Sequence, residues 1–260
     1  MSEPMSAPIV ATASGTRVVH LAEVASTNTD AMQRAAAGDR GPVWVVADRQ
    51  TAGRGRSGQP WASPPGNLYA TRLAVLTCDP ARLPQLSLVA GIAVIDAIRS
   101  VGGSRISGLR LKWPNDILVG AEKLGGILVE STTIGTRTAT GIGIGLNLTS
   151  HPVGLSYAAT CLAHHGVTTD RRAMLDALDR ELDLWLMNWR DGIGAKSTRA
   201  AWLARAGPIG ERLRVHTAVG LVEGMFAGID DDGALLLLDS GGAIARHTYG
   251  DVSLAATPPS

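Results

Sequence analysis

Residues 141–147 read Gly141-Ile142-Gly143-Ile144-Gly145-Leu146-Asn147. In an extended strand side chains alternate between two faces, so the three glycines share one face and Ile142, Ile144 and Leu146 share the other. The segment therefore has one apolar face that must be buried and one face without side chains, where a flat ring can lie against backbone. Gly125 and Gly126 are placed to extend that floor. A dinucleotide-binding loop also carries spaced glycines, but here the third spacing departs from GxGxxG and no helix follows, which rejects that reading.

The surrounding residues supply the rest of a sheet. Compact or alternating apolar runs predict strands over 17–24, 43–48, 67–76, 109–112, 117–119, 124–132 and 139–148. Helices are expected from 27 to about 37, opened by Ser26-Thr27-Asn28 and closed by Gly38, and over 83–101, 171–190 and 197–206. Gly207-Pro208 ends this pattern. Beyond it come short strands over 212–217, 220–229, 234–238 and 243–249, with Asp231-Asp232-Gly233 and Ser240-Gly241-Gly242 as hairpin turns. The expectation is an α+β chain: a disordered tail over 1–16, a mixed β-sheet packed with helices over 17–206, and a small SH3-like β-barrel over 207–260.

Of 260 residues, 45% are hydrophobic and 18% charged, and the formal net charge is +1. That suits one good core and a small second one, with no global attraction to nucleic acid or membrane. Cys78 and Cys161 form no CxxC pair, which argues against a disulfide framework or structural zinc and fits a reducing cytoplasm. The first residues have neither the basic start nor the apolar run of a signal peptide, and no apolar stretch is long enough to span a bilayer.

Two polar segments would carry chemistry. Gly53-Arg54-Gly55-Arg56-Ser57-Gly58-Gln59-Pro60-Trp61 lies in a glycine- and proline-rich loop over 50–66. Its glycines free the backbone to close on a ligand, and Arg54 and Arg56 bring guanidinium forks for carboxylate or phosphate. Ordering such a loop costs entropy, so it is expected to be mobile until a ligand arrives. Alone, it is equally a solvated basic turn. In Lys112-Trp113-Pro114-Asn115-Asp116 the proline keeps the residue before it out of helix, so Asn115 and Asp116 project from a turn. Lys123 can return to the same place if Gly120 makes a hairpin, and its ammonium could offset charge building on a reacting phosphate. Alone, an ordinary hairpin with a surface lysine is the lesser alternative. The six histidines show no ligand spacing. Gly192-Ile193-Gly194-Ala195-Lys196-Ser197 has Ala195 where a P-loop needs glycine and reads as a helix–helix linker.

In combination, GRGRxGxxW, KWPND, KxxGIL and GxGxN, ordered along 20–150, resemble the biotin protein ligases, and the hairpin-rich end resembles that family's C-terminal domain. The resemblance implies a catalytic domain of the class II aminoacyl-tRNA synthetase and biotin ligase type. It implies an ATP-dependent enzyme that forms biotinyl-5'-AMP and pyrophosphate, then transfers biotin to a lysine of the biotin carboxyl carrier protein of an acyl-CoA carboxylase. It assigns Ser26, Thr27 and Asn28 to the biotin ring. Gln50, Gly53, Arg54 and Arg56 fall on the loop over the biotin tail and adenylate phosphate. Lys123 would bridge the biotin carboxylate and the ATP α-phosphate. Gly126, Leu128, Gly143 and Gly145 would form the biotin wall. Trp61, Asn115 and Asn147 would contact nucleotide or metal, and Asp116 would sit near the reacting centre. Lys123, Arg56 and Asp116 thus become the expected catalytic residues, with magnesium held mainly by the phosphates.

Gln59 stands where many relatives of this kind carry arginine, so one pyrophosphate contact is expected to be weaker or supplied from elsewhere. Residues 1–16 leave no room for the helix-turn-helix of repressor forms, and no sequence-specific DNA binding is expected. A homodimer through the sheet is allowed. The alternatives are a lipoate or octanoate ligase of the same fold, whose arginine-rich triple-glycine signature is missing, and a non-catalytic biotin-binding module, which would not need Lys123 and both arginines.

Overall fold

The computed structural model describes residues 9–102, 106–217 and 220–254. Its larger sheet has eight strands in the order β1-β2-β3-β4-β8-β7-β6-β5. These are β1 (Ile9–Ala11), β2 (Arg17–Val24), β3 (Val43–Gln50), β4 (Leu68–Leu76), β5 (Leu109–Lys112), β6 (Asp116–Val119), β7 (Glu122–Ile134) and β8 (Arg137–Leu146). β2 and β3 run parallel, and helix α1 (Thr27–Ala36) makes the crossover that parallel neighbours require. The other pairings are antiparallel.

The alternation in β8 sets the layers. Ile142, Ile144 and Leu146 are buried in the main core with side chains of α2 (Gln85–Ser100) and α3 (Arg171–Trp189), such as Leu86, Ile92, Leu178 and Leu182. A smaller core packs Ala31 and Ala35 of α1 on Val43, Val45, Leu73 and Ala139. The glycine face of β8 therefore looks toward α1, and the site lies at that helix's N-terminal end.

A shorter helix, α4 (Ala195–Leu203), leads to a five-stranded antiparallel sheet. Its strands are β9 (Arg212–Thr217), β10 (Gly220–Ile229), β11 (Leu235–Leu238), β12 (Ile244–His247) and β13 (Asp251–Leu254), in the order β12-β11-β10-β9-β13. Strand β13 is an addition to the sequence reading; four residues with one buried apolar side chain, Val252, carry too little period to announce a strand. Among the described residues no helix is long and apolar enough to cross a membrane.

Residues 9–16 depart from the expected tail. β1 pairs with β2, and Thr12 Oγ1 donates to Asp179 Oδ2 at 2.6 Å, with Ser14 Oγ bonded to the same oxygen. The cause is a charge pair beneath the sheet. Arg72 (3% exposed) meets Asp179 (0% exposed), Trp44 Nε1 donates to Asp179 at 2.7 Å, and Arg72 also reaches Asp183 at 2.7 Å. A buried ion pair is tolerated only when its remaining hydrogen-bonding capacity is met, and the N-terminal hydroxyls meet it here.

Candidate active site

The floor of the site is backbone. Register pairs Gly145 with Gly126, Gly143 with Leu128 and Gly141 with Glu130. A Cβ added at Gly145 would lie 2.6 Å from the Trp61 ring, and one at Gly126 would lie 3.2 Å from it. At Gly143 it would run into the Asn28 amide, and at Gly141 it would come within 3.3 Å of Met32 Sδ. Side chains of the loop and of α1 thus lie directly on the glycine face. Gly125 does not belong to this floor: it pairs with Ile117 and Leu146 and faces the core, because side chains alternate along β7 and its neighbour Gly126 is the one that pairs with Gly145 on the floor.

One end of the slot is polar. Gln50 Oε1 accepts from Thr27 N (2.9 Å) and Thr27 Oγ1 (3.1 Å), so it caps the start of α1 from β3. Ser26 occupies the N-cap position and is buried, but its side chain makes no cap bond. Thr71 Oγ1 donates to Asn28 Oδ1 at 2.6 Å and lies 2.8 Å from Thr27 Oγ1. Asn28 Nδ2 donates to Leu128 O (3.1 Å) and Glu130 Oε2 (2.7 Å). Arg54 reaches this end too, 3.2 Å from Thr29 Oγ1 and 3.4 Å from Glu130 Oε1.

The other end is cationic. Lys112 and Asp116 face each other across the β5–β6 hairpin, and Gly120 (φ +61°) turns β7 back so that Lys123 joins them. Asp116 Oδ2 lies 2.7 Å from Lys112 Nζ and Oδ1 lies 2.7 Å from Lys123 Nζ. Burial pushes the Asp116 carboxyl up, but the two ammonium groups outweigh it and hold the group below the usual carboxylate range. Asp116 is thus ionised at neutral pH and a weak base, suited to orienting lysines rather than taking a proton. Lys123 Nζ also sits 5.5 Å from the Trp61 ring and 5.3 Å from that of Tyr157. A cavity of about 250 Å³ opens here, lined among others by Gly53, Trp61, Lys123, Asn147 and Tyr157.

The loop over the slot is crossed by backbone hydrogen bonds. Trp61 N donates to Gly53 O (2.9 Å) and Gly55 N to Gln59 O (2.7 Å), with Ser57 and Gly58 at positive φ at the tip. Gly53 is required: a Cβ there would lie 2.8 Å from Trp61 O. The loop lays the Trp61 ring on the floor with its buried Nε1 unpaired.

The expected residues divide accordingly. Thr27, Asn28, Gln50, Gly53, Trp61, Gly126, Leu128, Gly143, Gly145, Asp116, Lys123 and Asn147 surround the slot and cavity. Asn115 is committed elsewhere, its Nδ2 donating to Ile127 O at 2.7 Å to tie the turn to β7. Arg56 turns to the C-terminal domain, donating to Gly250 O at 3.0 Å. Four participants escape the sequence reading: Lys112, Thr71, Glu130 and Tyr157. Lys112 had a signal, standing four residues before Asp116 across a turn; the others lie in strands or loops whose register alone brings them in.

With this geometry in hand, residues 22–147 match the Biotin/lipoate A/B protein ligase family and residues 209–255 the Biotin protein ligase C terminal domain. These matches define the class as an acyl-group ligase with its accessory domain. The biotin--[acetyl-CoA-carboxylase] ligase of Paracoccus denitrificans is 37% identical over 224 residues, covering 84% of this chain and 92% of that protein. That of Mycobacterium tuberculosis is 37% identical over 237 residues, covering 89% and 86%. The biotin protein ligase of Aquifex aeolicus, solved with biotin and ATP, superposes with a TM-score of 0.75 at 28% identity, covering 92% of this chain and 99% of that one. The chain belongs to the biotin protein ligases.

Proposed function

We propose that the chain activates biotin with ATP and transfers it to a lysine of a biotin carboxyl carrier domain of an acyl-CoA carboxylase. The observation that carries this is the Lys112–Asp116–Lys123 cluster at one end of a glycine floor. The Trp61 ring covers the Gly126–Gly145 part of that floor, and lifting the 53–61 loop would admit the bicyclic ring there. A biotin carboxylate at the Lys123 end attacks the α-phosphate, an O–P bond forms and pyrophosphate leaves. The ammonium groups offset the charge that builds there, and the pre-set geometry supplies the positioning. The carrier amine then attacks the acyl carbon, AMP leaves, and the amine proton passes to solvent. Trp61 and the 53–61 loop shield the mixed anhydride from water.

The polar end supports biotin over lipoate. Thr27, Asn28, Gln50 and Thr71, which bond to one another here, can exchange some of those bonds for the donors and acceptors of a ureido ring, and a dithiolane offers them none. For magnesium, the donor set fits an ion held mainly by phosphates. Asn147 Oδ1 is buried without a partner and can contribute one oxygen, while Asp116 is engaged by two lysines. When bound, the ion would neutralise phosphate charge. Operator binding is not part of the proposal, a net charge of +1 giving no global pull to DNA.

Mass spectrometry after incubation with Mg-ATP and either biotin or lipoate tests this reading. Biotinyl-adenylate with released pyrophosphate is expected. Lipoyl-adenylate alone would move the substrate to the sister class, and neither adenylate with biotin retained would leave a binding module.

A further inference from the structure

The contacts of Arg56 point away from the slot. Its Nη1 donates to Gly250 O at 3.0 Å and lies 3.6 Å from Asp251 Oδ1, and its guanidinium sits 5.1 Å from the centroid of the Tyr249 ring. The next residue follows, with the Ser57 and Tyr249 hydroxyls 3.1 Å apart. Gly250 can present its carbonyl this way because it has no side chain: at φ +148° an added Cβ would lie 2.7 Å from Val215 Cγ1 and 3.1 Å from His216 O. One residue past Asp251, Val252 O accepts from Lys112 Nζ at 2.7 Å. The start of β13 therefore holds the tip of the loop on one side and the cationic cluster on the other.

We infer that the Tyr249–Gly250–Asp251 turn is a clasp that positions the 53–61 loop through Arg56, so that the C-terminal domain sets how long the acyl-adenylate stays bound. Arg56 acts here as the loop's anchor. A loop rich in glycine loses much backbone entropy when it closes, and an anchor at its tip removes part of that loss before the ligand arrives. Tyr249 and Asp251 are positioning residues, since they touch Arg56 and not the reacting atoms. The inference rests on the proposed adenylation reaction.

The test is the dissociation rate of biotinyl-adenylate from the whole enzyme, measured by chase after single-turnover formation. Tyr249 is 64% exposed and the Asp251 side chain 62%, so truncating them should leave the melting temperature in place. Losing an exposed cation–π contact should speed escape about two- to fivefold in Tyr249→Ala, and Tyr249→Ala/Asp251→Ala should raise it to about tenfold, or about 1.4 kcal/mol. Tyr249→Trp, which keeps an aromatic face, should retain adenylate as the native enzyme does. Escape from the double variant at the native rate, slower escape, or a Tyr249→Trp variant that leaks like Tyr249→Ala would each overturn the clasp. A native enzyme that makes no adenylate would instead sink the adenylation reading, and the clasp with it.

Discussion

Asp116→Asn removes one charge and almost no volume, and its effect can be worked from the site. Each carboxylate oxygen holds one ammonium at 2.7 Å, so neutralising the carboxyl leaves Lys112 and Lys123 facing each other. With roughly 6 Å between the two charges and an effective dielectric of about 20, they repel by about 3 kcal/mol. The three side chains are between 11% and 21% exposed, so salt and solvent trim rather than abolish this. One lysine then swings toward solvent and the end of the slot loses its fixed ammonium. A loss of about 2–3 kcal/mol in the first step is about 30- to 150-fold in rate. The assay is single-turnover pyrophosphate release at saturating biotin and Mg-ATP. Lys112→Met/Asp116→Asn removes the repulsion with the carboxylate and should run about tenfold faster than Asp116→Asn, a coupling that only neighbours show. The reasoning is refuted by Asp116→Asn within twofold of the native rate, or by a double variant no faster than the single one.

Three further outcomes are expected. Lys123→Ala should slow adenylate formation at least about 10²-fold while biotin binding persists, and quench-flow measurement of the first step checks it. Gly143→Ala puts a methyl into the Asn28 amide and should weaken biotin about tenfold by calorimetry, since displacing that amide breaks its bonds to Glu130 and Thr71; unchanged affinity would place the ring elsewhere. Asp179→Ala leaves Arg72 buried without its partner and should lower stability by about 3–5 kcal/mol in urea titrations. Burial raises the Asp179 carboxyl, but bonds from Ser14, Thr12 and Trp44 and the Arg72 charge outweigh it and hold the group below the usual range. A depressed carboxylate contributes stability above its unfolded value, near 3.9, and loses it as pH falls through the folded one. The native chain should therefore lose stability as pH drops below about 4, and Asp179→Ala should lose less.

The parts of this fold that are legible in the sequence are those whose signal is local. β8 announces both of its faces through alternation, and the long strands and helices announce theirs through period. β1 is legible neither by length nor by pattern, because three residues have no period and the Asp179 that helps secure the residues after it belongs to a helix far along the chain. The site divides in the same way. Asp116 and Lys123 meet because a tight hairpin brings near neighbours together, so residue type and spacing suffice for them. Gly125 and Gly126 are adjacent and identical, so alternation lets only one of them face the ring, and the register of β7 on β8, which pairs Gly126 with Gly145, decides which.

Arg56 is the instructive case. Its charge and its glycine neighbours say that it can grip an anion, and nothing local says that a carbonyl 194 residues away is already in its grasp. A guanidinium carries five donors, and anchoring one to Gly250 leaves others to turn toward phosphate when the loop closes. The same side chain can therefore hold the C-terminal domain and reach the nucleotide at once in the filled enzyme. That makes the accessory domain part of the loop's energetics, a role invisible in either segment read alone.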